Sequence, residues 1–306
     1  KHGGFTEKSA AVADAGTDPV YDEDAGCPPL SANPRLVPNG AVYAIARVGC
    51  VLYLGGYFTA IGPNTGGGAI LNDSTGALAS GIPNLLPINS GVLAVAPDDA
   101  GGWYIGGSFT KVGNATRHRL ARINADGTLH SWDPNANNMV QALAVSGSTV
   151  YAGGYFTALD GGGTPRNRLA AIGDDGVVQS WDPNANSYVA ALAVSGSTIY
   201  AGGAFTSFGD GGTPRNYIAA IDADGGILAW NPNANSWVGA LAVSGSTVYV
   251  GGIFTSFNDG GTTRNRLAAI DVDSGTPLSW NPNANDWVFA LAASGSTIYV
   301  GGLFTT

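Results

Sequence analysis

A five-residue motif, Gly-Gly-x-Phe-Thr, recurs six times along this chain and limits what the chain can fold into. Its copies are spaced 51, 47, 49, 49 and 50 residues apart, with first glycines at Gly55, Gly106, Gly153, Gly202, Gly251 and Gly301. A repeat of about 50 residues is typical of propellers and other arrays of equivalent units. Because the chain has 306 residues, the repeats account for most of it.

Each unit predicts four short strands, here called a to d. In the clearest unit they cover residues 238–243, 247–254, 266–270 and 276–280. Short turns containing Gly245 and Gly275 separate a from b and c from d, and glycine supplies the positive φ that such turns need. Strands a and b are apolar on both faces, which is typical of a sheet packed between two neighbours. This pattern predicts an all-β fold, a β-propeller of four-stranded blades.

The number of blades follows from counting units. Five units are complete, and they begin near Val42, Val92, Val140, Val189 and Val238. A sixth unit begins at Val288 and holds only strands a and b. Residues 9–16 resemble strand c and its turn, and residues 17–22 would then be strand d. We therefore predict one six-bladed domain, closed by a composite blade of residues 1–22 and 288–306, with residues 23–41 as an irregular connection.

The repeat resembles a known family. The segments that carry the resemblance are residues 251–255, 264–271, 280–285 and 288–292, and the likeness extends over residues 40–306. These segments are similar to delta-60 repeats, propeller-like repeats of bacterial secreted and cell-surface proteins, whereas kelch repeats fit less well. The resemblance implies a fold and a compartment, but it brings no shared catalytic residues, so function has to be argued from sites.

Charge and hydropathy narrow the range of partners. The chain carries 13 Lys and Arg against 22 Asp and Glu, a net charge of −9. It therefore lacks the basic surface that binding to a phosphate backbone requires, and we expect no nucleic-acid partner. No apolar run approaches the roughly 18 to 20 residues that span a bilayer. We expect a secreted or surface-exposed protein without a membrane span.

The residues that could carry catalysis are few. There are three His, none in a nucleophile motif, and two Glu. Most Asp lie in turns such as Asp222-Ala-Asp-Gly, where bonds from side chain to backbone explain them better than a calcium site does. We expect a protein that is not an enzyme and has no metal or cofactor, although an enzyme with an unlocated active site remains an alternative.

The two cysteines, Cys27 and Cys50, leave the question of a disulfide open. Cys50 falls in the a-to-b turn of unit 1, on the opposite face from the point where Cys27 should follow strand d. The Cα atoms of a disulfide lie about 4.4 to 6.8 Å apart. A bond therefore requires residues 23–40 to fold back towards the short-turn face.

Strand alternation predicts where ligands would bind. Successive strands run in opposite directions, so the d-to-a and b-to-c connections emerge together on what we call the long-loop face. Both connections are long and polar in units 2 to 5. The candidate ligand-binding residues on this face are Asn184, Asn186, Tyr188, Asn233, Asn235, Trp237, Asn283, Asn285, Trp287, Arg166, Arg215 and Arg264.

These side chains allow more than one interpretation. Aromatic rings beside Asn and Arg suit a neutral, hydroxyl-rich ligand such as a glycan. The alternative is that the rings pack between blades, that the Asn side chains cap turns, and that each Arg pairs with the Asp of its own loop. We expect packing roles for the Trp that ends strand d, namely Trp132, Trp181, Trp230 and Trp280.

The sequence therefore favours a binding or scaffold module that meets a glycan or protein through its long-loop face. The rival function is that of a multivalent, lectin-like glycan binder.

Overall fold

The computed structural model of the chain describes residues 11–12, 38–48, 51–58, 68–72 and 86–305. Apart from a single 3₁₀ turn at Asp160–Gly162, the regular structure in these residues is β-strand. The predicted all-β class is confirmed.

Six units follow one another, and each begins with an antiparallel pair of strands. The first strands are Ala41–Val48, Val92–Pro97, Val140–Ser146, Val189–Ser195, Val238–Ser244 and Val288–Ser294. The second strands are Val51–Tyr57, Trp103–Gly107, Thr149–Gly154, Thr198–Gly203, Thr247–Gly252 and Thr297–Gly302. In units 1 to 5 a third strand pairs with the second one, at Gly68–Asn72, Leu120–Ile123, Leu169–Gly173, Ile218–Asp222 and Leu267–Asp271.

The predicted strand d is shorter than expected. In units 2 to 5 it joins the third strand through a single bridge, at Ile123↔Leu129, Ile172↔Val178, Ile221↔Ile227 and Ile270↔Pro277. One further backbone bond supports it, for example from Gln179 N to Ala171 O at 2.9 Å. The segment then reaches a Trp and, two residues later, a Pro, which has no N–H to extend a ladder. Each blade thus has three regular strands and a fourth, bridged segment.

The long connection between the second and third strands contains structure that was not predicted. In units 2 to 5 it folds into a hairpin of two-residue strands. The paired segments are Lys111–Val112 with Ala115–Thr116, Ala158–Leu159 with Thr164–Pro165, Ser207–Phe208 with Thr213–Pro214, and Ser256–Phe257 with Thr262–Thr263.

The junction between the first and last units differs from the predicted composite blade. Residues 9–16 were expected to pair as strand c with the second strand of unit 6. Instead, Ala11–Val12 pairs in parallel with Ala44 and Ile45 in the first strand of unit 1, and it also lies against Val288–Ser294 of unit 6. The dipeptide therefore covers part of a strand edge between the two units. The rest of residues 1–37, including Cys27, and Cys50 lie outside the described residues.

The core forms between neighbouring units. The Phe of the motif packs in this core and is 0% exposed at Phe109, Phe156, Phe205 and Phe254. The first glycine of the motif lets units approach, because a Cβ on Gly153 would lie 2.8 Å from Val189 Cγ1 of the next unit. Trp132, Trp181 and Trp230 are buried as predicted, and Trp280 packs against Tyr249.

Candidate functional site

The d-to-a turn and the b-to-c connection meet on one side of units 2 to 5, as predicted. Asn186 N, in the turn that enters unit 4, donates to Ser207 O in the long loop of that unit at 3.0 Å. The equivalent bond in unit 5 joins Asn235 N and Ser256 O at 3.0 Å. The long-loop face is therefore built by backbone contacts between the two connections.

The second Asn of each Asn-rich turn holds this arrangement. Asn186 Oδ1 accepts from the backbone N–H of Thr206 at 2.9 Å and of Ser207 at 3.2 Å, and its Nδ2 donates to Thr206 Oγ1 at 2.9 Å. The Thr is the last residue of the Gly-Gly-x-Phe-Thr motif. The same contacts with the motif Thr recur at Asn89, Asn137, Asn235 and Asn285. These amides hold the turns, and a ligand-binding role for them stays a prediction.

We expect Asn235→Ala to lower the free energy of unfolding by about 1 to 2 kcal/mol. The substitution removes two accepted bonds and one donated bond, and each contributes about 0.5 to 1.5 kcal/mol, less where water can replace it. Asn235→Asp is the matched control, because its carboxylate keeps both backbone bonds, and it should cost less than half as much. Urea unfolding measures both variants, and equal losses would contradict this role of the amide.

The first Asn of the turn connects neighbouring units. Asn184 adopts φ 55°, a left-handed conformation that Asn tolerates better than most residues. Its Oδ1 accepts from Asn167 of unit 3 at 2.8 Å, and its Nδ2 donates to Asp210 of unit 4 at 2.7 Å. Asn233 makes the equivalent pair of bonds, and Asn283 makes the first of the two.

The predicted Arg residues bind the protein's own backbone. Arg166 donates to Pro165 O and Gln179 O, both at 2.7 Å, and thereby ties the long loop to the fourth segment. Arg215 and Arg264 make the same two contacts in their units. The acidic neighbour of Arg166 is Asp182, at 3.8 Å, whereas Asp160 of its own loop accepts from Thr164. The alternative in which Arg166 pairs with the Asp of its own loop is not observed, because the guanidinium donates to backbone carbonyls of the loop and of the fourth segment.

Aromatic side chains line the inner edge of the long-loop face. Tyr188 stacks on Tyr155 with ring centroids 4.4 Å apart and planes 16° apart. Trp237 lies over Gly239, and Phe289 makes edge contacts with Trp237 and Trp287. We call the following side chains the aromatic rim: Tyr57, Tyr155, Tyr188, Trp237, Trp287 and Phe289.

The rim contains much of the exposed apolar surface. Six large hydrophobic side chains among the described residues are exposed, and Tyr57, Tyr155 and Trp287 of the rim are three of them. Leu303, beside Trp287, is a fourth. Tyr57 also donates to, or accepts from, Ser108 at 2.9 Å, so its hydroxyl group has a polar neighbour in the next unit.

Burial raises the pKa of Tyr188 to about 12, and the adjacent Tyr155 contributes to this rise. An unfolded Tyr ionises near pH 10, so the stability that Tyr188 contributes is complete below about pH 10 and falls until about pH 12. We expect Tyr155→Phe to lower the pKa of Tyr188. The titration of Tyr188 is followed by ultraviolet absorbance of its phenolate, identified as the part of the signal that Tyr188→Phe removes. If the midpoint of this titration were the same in Tyr155→Phe as in the unmodified protein, Tyr155 would not contribute to the raised pKa of Tyr188.

A channel of about 300 Å³ runs between the first strands of units 2 to 6. Its lining is mostly small and apolar, with segments 93–97, 141–145, 190–195 and 241–245. Its polar side chains are Gln141, Ser195 and Ser244, and Gln141 Oε1 has no hydrogen-bond partner in the described structure.

The acidic turns are explained by local bonding. Asp222 Oδ1 accepts from the N–H groups of Asp224 and Gly226. Bonds from Ser274 lower the pKa of Asp271 in the equivalent turn of unit 5. Within the residues that the structure describes, no group of three or more His, Cys, Asp or Glu is placed to hold a metal ion. The same residues contain no helix long and apolar enough to cross a membrane.

Sequence reasoning missed several residues of this face. Asn89 takes the place of the second Asn, although the turn before unit 2 lacks the Asn-rich sequence. The available signal was the number of residues that separate Asn89 from the motif Thr. Tyr57 and Tyr155 were read only as the variable residue of Gly-Gly-x-Phe-Thr, so their position beside the next unit was not considered. Phe289, by contrast, lies in the predicted first strand of unit 6 and is buried there.

Comparisons with known proteins agree with this architecture. The model of a β-propeller domain of unknown function, DUF5122, matches residues 101–129, and no curated protein matches the chain.

Three solved structures are similar over most of the chain. The WD40 β-propeller domain of Doa1 is 14% identical with a TM-score of 0.55, covering 82% of this chain and 71% of its own. The Pan2 WD40 domain of Neurospora crassa is 11% identical with a TM-score of 0.52, covering 82% and 68%.

The third is the extracellular domain of BT4673, a putative one-component system from B. thetaiotaomicron. It is 14% identical with a TM-score of 0.53, and the match covers 86% of this chain and 31% of that one. At these identities the likeness concerns the fold alone. The chain is an all-β repeat protein with a propeller-like fold.

Proposed function

We propose that this protein is a non-catalytic binding or scaffold module that meets its partner through the long-loop face. One observation carries the proposal: four of the six exposed large hydrophobic side chains in the described residues lie at the inner edge of that face. Exposed apolar surface gathered in one place is typical of an interaction site. The partner is a glycan or a protein.

The alternative to binding would be catalysis, and the titratable groups support it poorly. Those with shifted pKa values are buried Tyr, the Asp of tight turns and Arg215, whose pKa burial lowers, and local environments account for these shifts. His130 accepts from Trp132 N within its own turn. A non-catalytic role therefore fits these residues better than an enzyme does.

The setting of this function is also a proposal. We infer that six units of delta-60 type form one ring, supported by the contacts of Ala11–Val12 with the first strands of both unit 1 and unit 6. We infer a secreted or cell-surface location in a bacterium from the resemblance of the repeats. The extracellular domain among the structural neighbours is compatible with it.

The experiment compares the two faces of the protein. The variant Tyr57→Ser/Trp287→Ala alters the long-loop face, and Ser197→Glu alters a short turn on the opposite face. Both are tested against an array of oligosaccharides and peptides. We expect a bound array member to lose at least tenfold in affinity with the first variant and to be unaffected by the second. The reverse result, or an array with no saturable binding, would contradict the proposal.

A further inference from the structure

The repeats are nearly identical except at a few positions, and these positions are the subject of the inference. Four nineteen-residue stretches align without gaps, at residues 139–157, 188–206, 237–255 and 287–305, and thirteen of the nineteen positions are identical in all four. Three further positions exchange only small or β-branched apolar residues. The remaining three vary widely in size, and they are the first, third and seventeenth positions of the stretch.

These three variable positions carry unrelated side chains. The first position holds Met139, Tyr188, Trp237 and Trp287. The third holds Gln141, Ala190, Gly239 and Phe289. The seventeenth holds Tyr155, Ala204, Ile253 and Leu303.

The three positions are neighbours in space. The N–H of the seventeenth residue donates to the carbonyl of the first, as from Tyr155 to Met139 at 2.8 Å and from Ile253 to Trp237 at 3.0 Å. The third position is the extra residue of a β-bulge that begins each first strand, for example between Val140 and Ala142. Bulges redirect a side chain and are frequent next to functional sites.

Contacts between units join these positions into one surface. Tyr155 of unit 3 stacks on Tyr188 of unit 4, and Trp237 of unit 5 meets Phe289 of unit 6. The ring of Tyr57 in unit 1 lies against Gly91 of unit 2. The aromatic rim therefore consists entirely of variable positions, while the scaffold that presents them is repeated almost unchanged.

The variable positions are uncharged in every unit. Units 1 and 2 add Ala41, Tyr43, Tyr57, Gly91, Leu93 and Ser108, so all eighteen positions lack a charged residue. The chain as a whole carries a net charge of −9. The charged groups that touch the rim are Arg168, which donates to Tyr155 O, and Asp286, which accepts from Trp287 N. Both are bonded to the backbone and the rim side chains carry no charge of their own, which favours a neutral ligand.

The rim geometry also distinguishes a sugar from a peptide. Tyr155 and Tyr188 are stacked at 4.4 Å, so no groove opens between them, and Tyr188 supports the exposed ring of Tyr155 from one side. Proline-rich peptides instead dock into aromatic-lined grooves. Strand addition is disfavoured as well, because the first and seventeenth residues already bond to each other through their backbones.

We propose that the aromatic rim binds a neutral, hydroxyl-rich oligosaccharide, whose C–H faces pack on the exposed ring of Tyr155 and on Trp287. This inference rests on the proposed function of the long-loop face and specifies its ligand. Sugar hydroxyls both donate and accept, so they suit Ser108 and the Tyr hydroxyls near the rim.

The test measures binding of the intact protein to neutral hexasaccharides of glucose, mannose and xylose, to hexasaccharides containing uronic acid, and to proline-rich decapeptides. We expect at least one neutral hexasaccharide to bind and its affinity to fall at least tenfold in Tyr155→Ala and in Trp287→Ala. Tyr155→Phe keeps the stacked ring and should bind within about twofold of the unmodified protein. Val177→Ser, at an exposed hydrophobic residue outside the rim, should bind unchanged.

Ionic strength provides a second measurement. Because a neutral ligand forms no ion pairs, its affinity should be equal at about 0.05 M and about 0.5 M salt. Thermal unfolding of each variant checks that the fold is retained.

The outcomes separate the two proposals. If only peptides or acidic sugars bind and the rim variants abolish that binding, the ligand class is overturned while the binding role of the face stands. If a neutral sugar binds and the rim variants leave its affinity intact, the assignment to the rim is overturned. If no probe binds, the neutral-sugar inference is overturned.

Discussion

Gly154→Ala is expected to reduce the free energy of unfolding by about 3 kcal/mol or more. Gly154 is the second glycine of the motif in unit 3, and a Cβ added there would overlap the carbonyl oxygen of Met139 and lie 2.9 Å from Val140 Cα. Both atoms belong to the backbone of the adjacent strand, so no side-chain rotation relieves the overlap. The first and second strands would have to separate where the seventeenth and first positions of the repeat meet.

A matched substitution in the same unit isolates this effect. Gly163 has φ −72°, and a Cβ there would lie 3.4 Å from its nearest neighbour, Asp160 O. Gly163→Ala should therefore be neutral or stabilising by up to about 1 kcal/mol. Urea unfolding with native-state hydrogen exchange across units 3 and 4 measures both variants, and equal losses would show that the overlap at Gly154 is not decisive.

The architecture could be predicted because the repeat presents each unit several times. The positions of Gly154 and Phe156 within the motif, and the small residues of the first strand, require close packing wherever they occur. Turn chemistry was equally direct, since Gly147 and its equivalents have the predicted positive φ. The all-β class followed from the four-strand pattern of the repeat, and the shared side of the long loops followed from strand alternation.

The features that the sequence did not predict depend on contacts between units. Asn184 forms hydrogen bonds with residues 17 positions before it and 26 positions after it. No local sequence pattern predicts such distant partners. The guanidinium of Arg166 donates to backbone carbonyls. Every residue has a backbone carbonyl, so the sequence does not show which ones an Arg will bind. The parallel pairing of Ala11–Val12 similarly depends on the open edge between units 1 and 6 rather than on its likeness to strand c.

In the candidate site, too, residues marked by a local pattern were predicted and residues defined by contacts between units were not. Tyr188, Trp237 and Trp287 were predicted because they follow a recognisable turn. Tyr57 and Tyr155 became candidates only when the structure placed them beside the next unit. A consensus of the repeat omits such positions, because it keeps only the residues that the copies share.

Trp132→Ala is expected to cost about 3 to 5 kcal/mol of unfolding free energy. The indole is 2% exposed, makes an edge contact with Tyr104 at 5.0 Å, and donates from Nε1 to Gly173 O of unit 3 at 2.8 Å. The substitution therefore creates a cavity between two units and leaves a buried carbonyl without its donor.

Two further variants separate these contributions. Trp132→Phe fills much of the cavity but removes the donor, so it should cost about 1 to 3 kcal/mol. Trp287→Ala removes an indole that is 45% exposed and should cost no more than about 1 kcal/mol. Urea unfolding of the three variants gives the order Trp132→Ala, Trp132→Phe, Trp287→Ala. If Trp287→Ala were as destabilising as Trp132→Ala, the rim indole would be part of the core, and its exposure could not be attributed to ligand binding.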